Sequence, residues 1–333
     1  MTGAAAGLAL LASLAYGSGS ALSRTAVRHH TASSVALWVQ SVGFLALALA
    51  AAVARPNLDT EALAWGVAAG SLAACGVLAF YTAMQNGPIS LVAPVAATGV
   101  AVPVAGGLLL GEDVGRPALA GLLLVVVGVM VVARSHVAAT SATSHSTTGG
   151  VQVLASPPGR SQITPVHDNC KTFSFAHPQR MAVVLASLSA AAFGVFYLLL
   201  REATAAAHAT TRSTEVASTS DYPIEATVLV ALAVQGGSLL VTLVLASRHT
   251  VRCVAPTRSL FAFALTIGLL DFGGDLALTY AVAVGPIALV GPLGSLDPIV
   301  AVIIACLFLG EPITPKRVMG LITCVAGISL VAA

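Results

Sequence analysis

Charge is what this chain has least of: Asp, Glu, Lys and Arg make up 8% of its 333 residues, against about a quarter in a soluble domain. With 57% hydrophobic residues and a mean hydropathy of +0.94, a water-soluble globule is excluded and the chain belongs in a bilayer. A net charge of +2 offers no basic field for nucleic acid. Cysteine is sparse and scattered (Cys75, Cys170, Cys253, Cys306 and Cys324), which excludes paired metal-ligand spacing and favours unpaired thiols. Histidine is missing from membrane depth, and His136, His145, His167 and His177 lack metal-site intervals. With no His-Glu-x-x-His either, a serine hydrolase built on Gly17-Ser18-Gly19-Ser20 would have no base. Neither an enzyme nor a cofactor is therefore expected. Lysine is nearly absent, at Lys171 and Lys316, within an Ala/Gly/Val/Arg-rich usage that suggests a bacterial source and hence a plasma (inner) membrane. No basic region precedes the first apolar stretch, so that stretch reads as a retained helix and not a cleaved signal.

What is abundant is apolar sequence in lengths of about 20 residues, enough to cross roughly 30 Å of hydrocarbon as helix. Such stretches lie near 3–22, 35–54, 62–84, 89–110, 117–134, 181–200, 224–246, 259–284, 287–309 and 316–333. The expectation is an all-α integral membrane protein with ten transmembrane helices.

The two ends of the chain nearly repeat each other. Gly87-Pro88-Ile89-Ser90-Leu91-Val92-Ala93-Pro94, followed by Leu110-Gly111-Glu112, Gly121 and Gly128, matches Gly285-Pro286-Ile287-Ala288-Leu289-Val290-Gly291-Pro292, followed by Leu309-Gly310-Glu311, Gly320 and Gly327. Arg24 pairs with Arg201, Gln40 with Gln235, and Gly70 and Gly76 with Gly268 and Gly274, so every span has a counterpart. The domains are then 1–134, a first five-helix repeat; 135–179, a polar linker around Pro157-Pro158-Gly159; and 180–333, a second repeat. The linker's composition cannot bury a core and reads as disordered. The longer connection after the sixth span, residues 203–215, reads as a mobile, frayed loop. Five helices per repeat is an odd number, so the second copy starts from the opposite side and the repeats are inverted. Basic residues gather after the odd-numbered spans (Arg24, Arg28, Arg248, Arg252 and Arg258 among them) more than after the even ones (Arg55, Arg116, Arg201, Arg212), which would put both termini outside.

On these paired Gly-Pro-Ile-x-Leu-Val-x-Pro and Leu-Gly-Glu signatures the chain resembles the drug/metabolite transporter superfamily, specifically its ten-helix members with two EamA-type domains. The resemblance covers both repeats and omits the linker. It implies secondary transport by alternating access, chiefly efflux, of a small metabolite, amino acid or drug-like compound, often coupled to an ion gradient. Its departure is that Gly99 and Val100 stand in the first repeat where Asp297 and Pro298 stand in the second.

Acids at membrane depth cost about 2.5 to 3.5 kcal/mol each and need a reason. Asp271 and Asp275 are one turn apart on one face of the eighth span, and Asp297 is central in the ninth. Carboxylates so close in low dielectric resist ionising together, so the group could exchange a proton or take a cation; hydrogen bonding between helices is the plainer reading. Pro298 and Pro103, in helix interiors, would free the carbonyls of Gly294 and Gly99 near the midplane, and Pro94 and Pro292 close the repeated motif. Gln40 and Gln235 could meet a polar substrate or bridge two helices. Glu112 and Glu311 are expected to cap the fifth and tenth spans or to pair with Arg116 and Lys316. Partners are then a small-molecule substrate, the lipid bilayer and protons, with homodimerisation open. A divalent-cation carrier and a non-transporting sensor or scaffold are the alternatives.

Overall fold

A bilayer gives helices no hydrophobic reason to associate, so contacts depend on small residues that let backbones approach. The computed structural model describes residues 2–26, 30, 32–86, 95–96, 98–112, 115–117, 119–121, 123–124, 126–128, 131, 178–214, 222–248, 257–297, 300, 303–304 and 315–332. Every regular element among them is helical. We number them α1 (Thr2–Ala26), α2 (Ala32–Ala54), α3 (Thr60–Asn86), α4 (Ala101–Leu109, preceded by a 3-10 turn at Thr98–Val100), α5 (Pro178–Thr214), α6 (Ile224–Arg248), α7 (Arg258–Val284), α8 (Ile287–Gly294) and α9 (Pro315–Ala332). Six of these, α1, α2, α3, α5, α6 and α7, are long and apolar enough to cross a membrane. The fourth, fifth, ninth and tenth expected spans fall partly outside the described residues, as does the linker apart from its last two residues, which begin α5.

The packing exchanges the two halves. α1 lies along α7 as α5 lies along α3; α2 lies along α7 as α6 lies along α3; α1 meets α8 as α5 meets the turn before α4; and the equivalent pairs α2 with α6 and α4 with α8 meet each other. Glycines mark the closest approaches in matched pairs. A Cβ on Gly70 would collide with the Val234 carbonyl, and one on Gly268 with Val39; Gly17 sits against Val300 as Gly194 sits against Val102. Direction follows from the same contacts. Gly66 faces Val230 and Ala233, while Ser238 Oγ donates to the Gly70 carbonyl at 2.8 Å, so α3 and α6 run parallel. Since α2 and α3 are consecutive spans joined by residues 55–59 and run opposite ways, α2 is antiparallel to its own equivalent, α6.

One expectation fails. Residues 203–214 are not a loop: α5 continues as one helix through Thr214, 37 residues or about 55 Å at 1.5 Å per residue. Five alanines among them have the highest helix propensity, and Ala203 and Ala207 are buried. The extension is held by Asp59, which accepts a hydrogen bond from Thr210 Oγ1 at 2.5 Å and caps α3 through Glu61 N–H at 2.9 Å.

Candidate functional site

The site lies where α1 crosses α7. Gly274 has no side chain between it and the Tyr16 ring, so the phenol lies directly on the α7 backbone. Its hydroxyl donates to Asp275 Oδ1 at 2.6 Å. The second oxygen, Asp275 Oδ2, is buried without a hydrogen-bond partner among the described residues, an expensive condition for a carboxylate in a fixed structure. Asp271 follows on the same face, one turn nearer the helix start, beside Gly19.

A broken helix completes the site. α8 is two turns long and ends at Gly294; Ser295 and Leu296 leave helical geometry, and helix resumes at Asp297. Ser295 turns back on Gly291, its N–H at 3.1 Å and its Oγ at 2.9 Å from that carbonyl. Ser13 of α1 donates to the Leu293 carbonyl at the end of α8. Tyr197 of α5 sets its hydroxyl 3.2 Å from Ser295 Oγ and directly over Gly294. The result is two polar groupings, Asp271, Asp275 and Tyr16 at the α1–α7 crossing and Ser13, Tyr197 and Ser295 at the α8 break, with Asp297 just beyond the break. Their chemistry is that of carboxylates and hydroxyls, suited to holding and passing protons or to binding a cationic group.

Of the other residues expected to matter, Gln40 and Gln235 come together: Gln235 Nε2 donates to Gln40 Oε1 at 2.6 Å, so two equivalent residues bond across the relation between the halves. Gly99 is buried in the 3-10 turn against the Ala190 backbone. Pro103 is the sixth residue of the continuous helical run Thr98–Leu109, so the Gly99 carbonyl, which lies against Gly194, has no N–H four residues on, and the Pro103 ring packs on Gly291. Pro292 is buried within α8. Pro94, Pro298 and Glu311 lie outside the described residues.

Glu112 departs from expectation. Among the described residues it pairs with Arg201, Nε at 3.7 Å from Oε1, and it caps α8 of the other half. Ile287 and Ala288 donate their N–H groups to its two oxygens at 3.0 Å each. Leu-Gly-Glu builds this locally. The N–H groups of Gly111 and Glu112 bond to the carbonyls of Leu108 and Gly107 at 3.1 and 3.0 Å, the paired bonds that end a helix. Gly111 takes φ +78°, open to glycine at no steric cost.

Tyr16, Tyr197, Ser13 and Ser295 were not singled out in the sequence, yet a signal existed for all but Tyr197, whose counterpart Ser20 is also polar. Aligned on the repeat, Tyr16 faces Phe193, Ser13 faces Ala190 and Ser295 faces Ala97, so comparing polarity between the copies would have found them. Among the described residues no three His, Cys, Asp or Glu side chains group as a metal site.

Comparison with known proteins agrees with this architecture. The EamA-like transporter family matches residues 3–134 and 180–333. No curated protein matches the chain. Solved structures do, and one, described only as a crystal structure of a protein, superposes with a TM-score of 0.66 at 15% identity, covering 98% of this chain and 95% of that one; at that identity it speaks to the fold alone. Two successive matches spanning both repeats leave out little but the linker, and this multi-pass membrane protein belongs to the EamA-like transporter family.

Proposed function

We propose that the chain is a ten-span, proton-coupled carrier that exports a small metabolite or drug-like compound across a bacterial plasma membrane by alternating access. Asp271 and Asp275 take up the proton or a cationic group in exchange for substrate. The observation that carries this reading is Asp275: a carboxylate within the apolar helix α7, bonded through one oxygen to Tyr16 and left with the other buried and without a hydrogen-bond partner among the described residues. Such an oxygen is costly unless something occupies it during part of a cycle. The inverted halves supply the motion, since each can adopt the arrangement the other leaves.

The test is reconstitution into liposomes containing a pH-sensitive dye, with a panel of amino acids, amino-acid analogues and drugs applied under an imposed pH gradient. Proton movement should accompany flux of at least one compound. Asp271→Asn and Asp275→Asn keep shape and hydrogen bonding but cannot titrate; flux should fall at least about tenfold, a loss of about 1.4 kcal/mol of driving interaction, or lose its pH response. Transport by both variants with an unchanged pH profile would return the pair to a structural role.

A further inference from the structure

α8 begins where a helix is least able to look after itself. Its first residue follows Pro286, which has no side-chain cap to offer. Of the four N–H groups that open any helix, Leu289 and Val290 find the Pro286 carbonyl at 3.0 Å each, and Ile287 and Ala288 remain. Those two are the ones that Glu112 accepts from, reaching over from the first repeat. Gly107 provides the room: a Cβ there would strike Glu112 Oε2 and Ala288.

The carboxylate is itself held. Arg201 stands at 3.7 Å from Glu112 and donates from Nη1 to Glu202 at 2.9 Å, with 31% of its side chain exposed against 14% for Glu112. Arg201 is one turn beyond Tyr197 on the same face of α5. α5 therefore grips both ends of α8: the start through Arg201 and Glu112, the broken end through Tyr197 and Ser295. A two-turn helix, about 12 Å long, moves as one piece, so what holds its start also sets where its end lies.

We propose that Glu112, steadied by Arg201, is the clasp that shuts α8 against α4 at one membrane face and thereby positions the Gly294–Ser295 break against Tyr197. It is a positioning residue and touches no substrate. Resting on the alternating-access reading, the inference adds which contact must open. Two N–H groups sharing one carboxylate make a bistable contact. Closed, both donors are satisfied; half-open, one is stranded; fully open, water can reach them along the exposed Arg201 side.

The experiment needs no substrate. Ser295→Cys is introduced with and without Glu112→Gln, the protein is placed in sealed right-side-out and inside-out vesicles, and a membrane-impermeant maleimide is applied. Labelling of the peptide containing residue 295 is read by mass spectrometry, which separates it from the native cysteines. Release of the clasp should raise labelling about tenfold from the face that carries Glu112 and lower it from the other. In parallel, hydrogen exchange of the Ile287–Gly294 segment should speed up while that of α6 does not. Equal labelling from both faces, or no change, overturns the proposal, since the first means general loosening and the second a contact without positional consequence. If Glu112→Gln does not insert, Arg201→Gln takes its place with the same expected asymmetry at smaller amplitude. Proton-coupled flux can fail while this asymmetry persists, or the reverse, so the two readings fall separately.

Discussion

Two interfaces of this protein are copies of one another and yet differ in chemistry. Where α5 crosses α3, the Phe193 ring lies over Gly76, 3.5 Å from where a Cβ would stand, and Ala73 and Val77 occupy the neighbouring turn. Where α1 crosses α7, the Tyr16 ring lies over Gly274 in the same manner, but the neighbouring turn carries Asp271 and Asp275. The ring-on-glycine contact is thus a packing device that works with entirely apolar neighbours. The ring-on-glycine contact at the α1–α7 crossing therefore does not itself require the acids, because the other crossing forms it without them. Their insertion cost, about 2.5 to 3.5 kcal/mol apiece, has to be offset by something the apolar copy does not do.

The most direct way to break the comparison is to make the two crossings alike. A triple variant, Tyr16→Phe, Asp271→Ala and Asp275→Val, rewrites the second crossing as the first. We expect folded, inserted protein whose thermal unfolding is unchanged or shifted upward by as much as about 4 kcal/mol, as when buried ionisable groups give way to packed apolar ones, and whose pH-driven transport is abolished. Scanning fluorimetry in detergent and flux in liposomes read the two halves of that statement. A triple variant that fails to insert would mean that the acids are structural after all and that the likeness of the crossings is superficial.

A second test concerns a polar contact made by two equivalent positions of the halves. Gln235 and Gln40 are equivalent and bond to each other, so this contact, unlike the acids, is symmetric. Gln235→Leu should lower stability by about 0.6 to 1.7 kcal/mol, the range for hydrogen bonds between membrane helices, and the double change Gln40→Leu with Gln235→Leu should cost less than the sum of the single changes, because neither amide is then left unpaired. Transport should be slowed far less than in the triple variant. Loss of transport with stability intact would move the pair from scaffold to substrate path.

These outcomes bear on how much could be read from the chain itself. The duplication and its inversion follow from apolar length, parity and matched glycines, all local or periodic properties. Gln40 and Gln235 were legible as equivalents; that they bond to each other was not, since two residues related by a pseudo-axis need not lie on it. Glu112 shows the limit most clearly. Its Leu-Gly-Glu motif is visible, and a cap was expected, but reasoning along the sequence looks for the nearest helix, and the helix it caps begins 175 positions later in the opposite repeat. Tyr197 acquires meaning only from the break in α8, a tertiary feature.

The smallest effect tests the other place where the copies differ, the length of α5 against α1. α5 has 37 residues and α1 has 25, and the extra turns are tied down through Thr210 and Asp59. The Thr210 hydroxyl beside Asp59, with the backbone N–H groups of Ala62 and Glu61, holds this carboxyl below the usual aspartate range. A group whose folded value is lowered contributes stability above its unfolded value, near pH 3.9, and loses it as the pH falls through the lower folded one. Thr210→Val removes the hydrogen bond and part of the shift while keeping the shape. It should therefore destabilise by about 0.5 to 1.5 kcal/mol at neutral pH and by progressively less below about pH 4, with proton-coupled flux through the α1–α7 crossing unaffected. Were the penalty equal at pH 7 and pH 3, the contact would be packing alone; were flux to fall with it, the extension would belong to the transport cycle and not only to the frame that α5 gives it.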